Sequence, residues 1–287
     1  MISLDRQIVP SNKVNFYADR VINDLKIKEP PVLYNPVLEY FGLELKPIDE
    51  QIELKFMELM GSRDIPNAFL LSANGKGKVY VKQYEKQPRK RLSIFHECAH
   101  HDLPWHSGHD FFCNCYETDH NHNKEIEREA FEYAANLIFP GLLFFDDIHS
   151  MPIQFQTIEI LAKRYNASFA ATAINFVKKT PEKCALILLK FNPNYEEGGA
   201  PFCVDYSIIS RTFRQYRFWE KGALIFYNDY IMSCFEHKRS WECEIPACVF
   251  GSNKELIYKV NLRHYGDGVF ALLHIPNRQT SLFGRFT

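Results

Sequence analysis

Two histidines and a glutamate in the middle of the chain have the types and the spacing needed to activate water on a metal ion. They lie in the segment His96-Glu97-Cys98-Ala99-His100. On a helix, positions i and i+4 lie one above the other, so His96 and His100 can present two imidazoles to a single ion. Glu97 projects beside that ion, where its carboxylate can take a proton from a water molecule. The spacing therefore predicts two metal ligands and one general base.

A third ligand is expected on a second helix, because catalytic zinc sites use three protein ligands and leave one position for water. Residues 124–140 have an apolar stripe at helical spacing that includes Ala130, Tyr133 and Ala134, and Pro140 ends the pattern. Glu127 lies on that stripe. A carboxylate on a buried helix face needs a partner, and a metal ion would be one. Glu127 is therefore the candidate third ligand.

These two segments together resemble the ImmA/IrrE family of metallo-endopeptidases. The family has an H-E-x-x-H helix followed by a helix of the form E-x-E-A-N-x-F-A-x-x-L-L-x-P, and residues 127–140 here read E-R-E-A-F-E-Y-A-A-N-L-I-F-P. Phe131 replaces the usual asparagine and Tyr133 the usual phenylalanine. The resemblance covers roughly residues 16 to 180. It implies a zincin-like domain in which Glu127 is the third metal ligand.

The resemblance also implies an activity and a partner. It suggests a zinc-dependent endopeptidase that cleaves a helix-turn-helix repressor and so switches on stress-response or mobile-element genes. The Irving–Williams order favours Zn²⁺ for two histidines and one carboxylate, with Mn²⁺ as the alternative ion. A rival interpretation is a DNA-binding or repressor-docking regulator whose metal site is structural or vestigial. Operator binding with a steep salt dependence would distinguish that regulator.

Composition places the protein among ordinary globular proteins: it has 287 residues, of which 46% are hydrophobic and 24% charged. A net charge of −1 gives no bulk attraction to nucleic acid or to an anionic membrane, so we do not expect direct DNA binding. Neither a membrane-spanning apolar run nor a signal-peptide layout is present in the sequence. We therefore predict a cytoplasmic protein whose eight cysteines are reduced thiols.

The pattern of helices and strands expected around these motifs indicates an α+β protein with three parts. A zincin-like metallopeptidase domain is predicted over residues 1–150, a helix-turn-helix-like segment over 151–181, and an α/β or mostly β domain over 182–287. The best-known branch of the family carries a GAF-like sensory domain at this end. We therefore predict a small-molecule effector as a candidate partner of residues 182–287.

Upstream of the metal-binding helix, the sequence predicts two helices and a small sheet. The first helix starts near Phe16 and stops before Pro30, and the second, over Tyr34–Phe41, is closed by Gly42. Strands are predicted at 43–47, 68–71 and 78–82. Because zincin-like proteases commonly pair substrate with an edge strand, the strand at 78–82 is a candidate for that role. Its lysines could instead protect a bare edge.

The segment between the two metal-binding helices is rich in histidine and cysteine. We expect it to form the rim of the site, where one of its histidines could act as an oxyanion donor. A second zinc site is the alternative, although Cys113 and Cys115 are too closely spaced for an ordinary zinc knuckle. The candidate oxyanion or rim histidines are His106, His109, His120 and His122.

The helix-turn-helix-like segment is predicted as a helix at 157–165, a turn at 166–168 and a second helix running to Phe176. The second helix has almost no side chains that could reach bases, which favours packing or repressor docking over DNA contact. Strands are predicted farther on, at 184–190, 223–227, 247–250, 256–261 and 269–275. The aromatic and basic run at 211–219 could stack on nucleic acid or form an amphipathic helix.

Overall fold

The computed structural model of the protein describes residues 11–60, 65–73, 76–83, 86–106, 120–196, 199–213, 221–225, 228–248 and 255–275. Helices and strands are mixed along these ranges, and the chain forms two compact units. Unit 1 comprises Met1–Phe144 with Ala162–Ser168, and unit 2 comprises Phe145–Leu161 with Phe169–Thr287. No helix within the described ranges is long and apolar enough to cross a membrane.

Unit 1 contains a small sheet and the helices that carry the predicted metal ligands. Gly42 adopts a left-handed conformation with φ of 64° and closes the second helix, as predicted. A third helix, which the sequence did not predict, follows the first strand. The elements are α1 (Ser11–Asp24), α2 (Tyr34–Phe41), β1 (Leu43–Ile48), α3 (Glu50–Met60), β2 (Ala68–Ala73), β3 (Lys76–Lys82), α4 (Gln87–Asp102) and α5 (His120–Ile138).

The sheet of unit 1 has the order β1-β3-β2, with β3 parallel to β1 and antiparallel to β2. The prediction that residues 78–82 form an edge strand is therefore wrong, because both sides of β3 are hydrogen-bonded to neighbours. Phe69 pairs in register with Tyr80, and their rings stack 4.9 Å apart. Phe56 of α3 lies 5.5 Å from the Phe69 ring, so an aromatic cluster joins α3 to the sheet.

A buried polar contact joins the end of α4 to α5 and α1. The Asp102 carboxylate accepts a hydrogen bond from the Tyr133 hydroxyl at 2.8 Å and an ion-paired one from Arg20. Burial raises the pKa of Asp102, whereas the hydrogen bond from Tyr133 and the charge of Arg20 oppose that shift. Helices α4 and α5 also pack along their length, so the two predicted metal-binding elements lie side by side.

Arg91 explains why residues 162–168 belong to unit 1 although their neighbours in sequence belong to unit 2. Its buried guanidinium, on α4, donates to the carbonyl oxygens of Tyr165 and Asn166, the second at 2.9 Å. Burial lowers the pKa of Arg91 to about 10. The Tyr165 ring packs against Phe139 and Phe144, with centroids 5.7 and 5.0 Å away. This segment therefore shares the core of α4 and α5, the helices that carry the predicted metal ligands.

Unit 2 contains an antiparallel sheet with the strand order β6-β5-β4-β9-β8-β7. Two helices pack on its strands: α8 contacts β4 and β5, and α9 contacts β7, β8 and β9. A buried apolar cluster that includes Phe202, Phe213 and Val260 forms the core between the sheet and α9. The strands are β4 (Cys184–Phe191), β5 (Phe202–Ile209), β6 (Leu224–Ile225), β7 (Trp241–Cys248), β8 (Glu255–Tyr265) and β9 (Gly268–His274).

The helices that precede and interrupt this sheet are α6 (Gly141–His149), α7 (Phe155–Arg164), α8 (Phe169–Lys179) and α9 (Asp229–His237). The helix pair expected at 157–176 is thus present as α7 and α8, and its residues contribute to both units. Strand β5 and helix α9 were not predicted. Of the run at 211–219, residues Arg211–Phe213 form a short 3₁₀ turn and the rest lies outside the described residues.

Candidate metal centre

Three side chains from α4 and α5 converge on one point. His96 and His100 lie one turn apart on α4, with their Nε2 atoms 3.1 Å from each other. Glu127, near the start of α5, brings Oε2 to 3.0 Å from His96 Nε2 and Oε1 to 3.5 Å from His100 Nε2. The donor atoms of all three residues lie within 4.8 Å of one another. The helical spacing and the packing of α5 on α4 together produce this arrangement.

The donor set suits a divalent cation. A neutral imidazole nitrogen and a carboxylate oxygen are both electron-pair donors, so the three side chains together could hold a cation. Ligand atoms about 3.3 Å apart match a tetrahedral zinc ion with metal–ligand bonds near 2 Å. Burial and the neighbouring His96 lower the pKa of His100 to about 3, which keeps this imidazole in its neutral, ligating form. The predicted ligands therefore fit the ion that the sequence indicated.

The centre is closed on the side of α4 and open on the side of α5. The side chains of His96 and His100 are 7% and 0% exposed, whereas that of Glu127 is 38% exposed. Glu127 is therefore less buried than the helical pattern suggested. The buried carboxylate of α5 is instead Glu129, which is 3% exposed. Solvent can therefore reach the converging atoms past Glu127.

Glu97, the predicted general base, directly follows His96 on α4 and is only 2% exposed. Cys98 is also fully buried, and it does not belong to the converging group. Burial and the charge of Glu97 raise the pKa of the Cys98 thiol, so this thiol is poorly suited to ligate a metal as a thiolate. Cys98 is therefore part of the core of α4.

Phe131 lies beside the centre in an exposed position. Its ring centroid is 4.3 Å from that of His96, and 52% of the residue is accessible to solvent. This is the position at which the family pattern has asparagine. Phe131 therefore gives the three converging side chains an exposed apolar neighbour.

A second group of side chains lies behind His100, on the side of the ring away from Glu127. His106, in the 3₁₀ turn Pro104–His106, brings Nδ1 to 3.2 Å from His100 Nδ1. Its Nε2 atom lies 3.2 Å from Glu129 Oε2, which also accepts a 2.7 Å hydrogen bond from Trp105 Nε1. Burial lowers the pKa of His106, and the hydrogen bond to Glu129 opposes that shift.

Sequence reasoning grouped His106 with the rim histidines and did not identify Glu129. The structure places His106 in the interior, with no exposed surface, and Glu129 beside it. The available signal was helical spacing: Glu129 lies at i+3 from Ile126, on the stripe that continues through Tyr133. A carboxylate at a core position of α5 predicts a buried partner, and His106 is that partner.

The remaining candidates near the centre are only partly described. His109, Cys113 and Cys115 lie outside the described residues. His120 and His122 lie at the start of α5, and their side chains are not described. Among the described residues, His96, His100 and Glu127 form the one cluster of three side chains that could hold a metal. The oxyanion donor and the second zinc site stay predictions.

Helix α8, the candidate DNA-contacting helix, has five buried residues among its eleven, and only Lys178 is exposed. It contacts β4 and β5 within unit 2. This packing covers much of the surface that a recognition helix would need to expose in the major groove. The buried residues of α8 are Thr172, Ala173, Asn175, Phe176 and Val177.

Comparison with known proteins gives a fold relationship. No family model matches the chain, and no curated protein matches it significantly. Among solved structures, it is similar to one described as a Mycobacterium tuberculosis transcriptional regulator, with a TM-score of 0.55 and 10% sequence identity. The match covers 92% of this chain and 78% of that one. The protein therefore shares its mixed α and β fold with a solved transcriptional regulator.

Proposed function

We propose that the protein is a zinc-dependent endopeptidase of the ImmA/IrrE type, with a zincin-like unit 1. The observation that carries this proposal is the convergence of His96, His100 and Glu127 within 4.8 Å, with Glu97 directly after the first ligand. The three ligands would hold Zn²⁺, or Mn²⁺ as the alternative. A bound ion would supply Lewis acidity, polarising a peptide carbonyl and making water more acidic.

The protein's own residues then perform the proton transfers. Glu97 accepts a proton from the attacking water as the oxygen–carbon bond forms at the scissile carbonyl. It returns that proton to the amide nitrogen as the carbon–nitrogen bond breaks, which makes the leaving group a neutral amine. Burial of Glu97 limits its exchange of protons with bulk solvent. Glu127 and Phe131 border the open side of the centre, where the substrate enters.

Extended substrate would pair with an edge of the unit 1 sheet. Since β3 is central, the described edges are β1 and β2. Strand β2 contacts α4, whereas β1 contacts α2. Within the part of the chain that the structure describes, the outer edge of β2 is therefore the favoured position for a substrate strand, through main-chain hydrogen bonds.

We infer a transcriptional role from two sources. The family pattern suggests that the substrate is a helix-turn-helix repressor, and the structural similarity to a transcriptional regulator is compatible with that role. The net charge of −1 and the buried face of α8 disfavour direct DNA binding. The rival proposal is a DNA-binding or repressor-docking regulator with a structural or vestigial metal site. It predicts no cleavage, and its DNA-binding form would bind an operator with a steep salt dependence.

The test is cleavage of repressors encoded beside this gene, with and without Zn²⁺ or Mn²⁺. The wild-type protein is compared with the Glu97→Gln variant, which keeps the size of the side chain but cannot accept the proton. We expect metal-dependent cleavage by the wild type and none by the variant, with equal metal content in both. Cleavage at the wild-type rate by Glu97→Gln would refute the mechanism. Metal binding without cleavage of any candidate would favour the docking regulator.

Unit 2 offers a specific observation for an additional sensory role. A polar cleft of about 350 Å³, within the range of small-ligand sites, lies between the segment before α7 and strands β7 to β9. We propose that this cleft binds a small effector. A ligand screen by thermal shift tests the proposal. Asn261 is buried at the cleft, so its replacement should abolish the rise in melting temperature that a ligand bound there produces. The polar lining residues include Gln154, Glu242, Glu244, Lys259, Asn261 and His274.

A further inference from the structure

We propose that His106 and Glu129 are positioning residues that hold His100 with its Nε2 lone pair directed at the metal. This inference rests on the proposed metal centre and deepens it, because neither residue belongs to the ligand set. The two residues form a buried chain of contacts that begins at His100 Nδ1, the ring nitrogen facing away from Glu127. They act through His100 and do not touch the ion.

The contacts form one continuous path. His100 Nδ1 and His106 Nδ1 are 3.2 Å apart, and His106 Nε2 and Glu129 Oε2 are also 3.2 Å apart. Trp105 Nε1 donates to the same Glu129 oxygen at 2.7 Å. Both His106 and Glu129 are at least 97% buried, so water does not compete for these contacts.

When Glu129 is a carboxylate and His106 is neutral, the donor and acceptor chemistry of this path permits one arrangement of protons. An ionised carboxylate only accepts hydrogen bonds, so Glu129 requires a proton on His106 Nε2. A neutral His106 then has a lone pair on Nδ1, which requires a proton on His100 Nδ1. His100 is thereby left with its lone pair on Nε2, the atom that faces His96 and Glu127. A carboxylate two imidazoles away thus selects the ligating tautomer.

Backbone contacts hold this path in place. The amide of His106 donates to the carbonyl of Leu103 at 2.9 Å, which closes the turn after α4. Glu129 lies on α5 two residues after the ligand Glu127. The turn and α5 therefore approach His100 from different elements, and the ring orientation depends on both. Metal-ligating histidines generally use their second nitrogen in this way, most often toward a carboxylate or a carbonyl oxygen.

Removal of such a partner typically weakens metal binding by about 10- to 100-fold. We expect a loss of this size for His106→Leu, which fills the space but neither accepts from His100 nor donates to Glu129. His106→Gln should retain most of the wild-type affinity, because its amide can accept from one neighbour and donate to the other. Glu129→Gln should weaken binding less than His106→Leu, because it removes the charge but keeps an acceptor oxygen.

The experiment is a zinc titration of the full chain in competition with a chromophoric chelator. The visible spectrum of the Co²⁺-substituted protein reports ligand geometry, and the melting temperature of the metal-free protein reports folding. Glu132→Gln is the matched control, since Glu132 lies on the same helix and ion-pairs with Arg128 at 3.3 Å on an exposed surface. None of these readouts depends on peptidase activity.

Support would consist of weakened zinc binding and an altered Co²⁺ spectrum in His106→Leu, recovery in His106→Gln, and wild-type behaviour of the control. Wild-type zinc affinity and an unchanged spectrum in both His106→Leu and Glu129→Gln would overturn the inference while leaving the proposed centre intact. If His106→Leu does not fold, wild-type zinc affinity of the Glu129→Gln variant is by itself enough to overturn the inference. Failure of the wild-type protein to bind zinc would remove both the centre and the inference. If the variants show these differences in zinc affinity but the wild-type protein cleaves no repressor, only the proposed peptidase activity is refuted.

Discussion

Replacement of Glu127 by glutamine should separate metal binding from folding. The substitution keeps the shape of the side chain and removes the only charge in the set of two neutral imidazoles and one carboxylate. Because the Glu127 side chain is 38% exposed, the metal-free protein should change in stability by no more than about 0.5 kcal/mol. The effect should appear only when zinc is present, since the carboxylate then lies among the atoms that hold the ion.

The size of the effect follows from linkage. A ligand present at about 1,000 times its dissociation constant stabilises the folded state by about 4.1 kcal/mol. If loss of the carboxylate weakens zinc binding by about 1,000-fold, the same zinc concentration stabilises the variant by only about 0.4 kcal/mol. The lost stabilisation is then about 3.7 kcal/mol, which for a unit of this size lowers the melting temperature of the zinc-loaded protein by about 7 to 15 °C.

The assay is thermal unfolding of the wild type and variant in chelator and at one fixed free zinc concentration. Glu125→Gln is a suitable control, because Glu125 lies on the same helix and is 40% exposed. It carries the same charge but belongs to an ion pair with Arg128 rather than to the centre. Equal zinc-dependent stabilisation of Glu127→Gln and the wild type would refute the ligand assignment. If Glu125→Gln loses as much zinc-dependent stabilisation as Glu127→Gln, the effect depends on the net charge of α5 and not on ligation by Glu127.

Three further outcomes are expected. Burial lowers the pKa of His100 to about 3, so the unfolded chain binds a proton that the folded metal-free protein does not; stability should fall as pH drops from about 6.5 toward 3. Between pH 7 and 5, the His100→Gln variant should lose about 2 kcal/mol less folding stability than the wild type, as measured by urea unfolding. A variant that loses as much stability as the wild type would contradict the lowered pKa of His100. Tyr133→Phe removes the hydroxyl that donates to Asp102 and should cost about 1.5 to 3 kcal/mol by the same method; unchanged stability would argue against that contact. Gly268→Ala would place a methyl carbon 2.0 Å from the Leu189 carbonyl oxygen and should cost about 1 to 3 kcal/mol in thermal unfolding, whereas wild-type stability would contradict the β4–β9 register.

The arrangement around His100 relates the fold of unit 1 to its proposed chemistry. One nitrogen of the ring faces the converging ligands, and the other faces a path that ends at a carboxylate shared with Trp105. Helix α5 supplies both carboxylates, one exposed and one buried. A shift of α5 along α4 would therefore disturb the ligand set and its support together.

Several elements were predictable because their signals are local. The H-E-x-x-H spacing places two imidazoles on one helical face regardless of what packs around it. The apolar stripe ending at Pro140 predicts α5, and Gly42 predicts the end of α2. Elements with weaker local signals were missed: α3 buries only a narrow face around Phe56, and β5 has polar residues within its strand pattern.

The sequence by itself determined the two helices α4 and α5 and the types of the candidate ligand side chains on them, because both follow from residue type and helical period. Only the tertiary structure decided that β3 is central, since strand order depends on which backbones pair across distant segments. The tertiary structure also decided which neighbours the two carboxylates of α5 contact. Glu127 and Glu129 differ by two positions, and the packing of α5 against α4 and the 3₁₀ turn decided that one faces the ligands and the other faces His106. A helical pattern gives the direction of a side chain but not the neighbour that it meets.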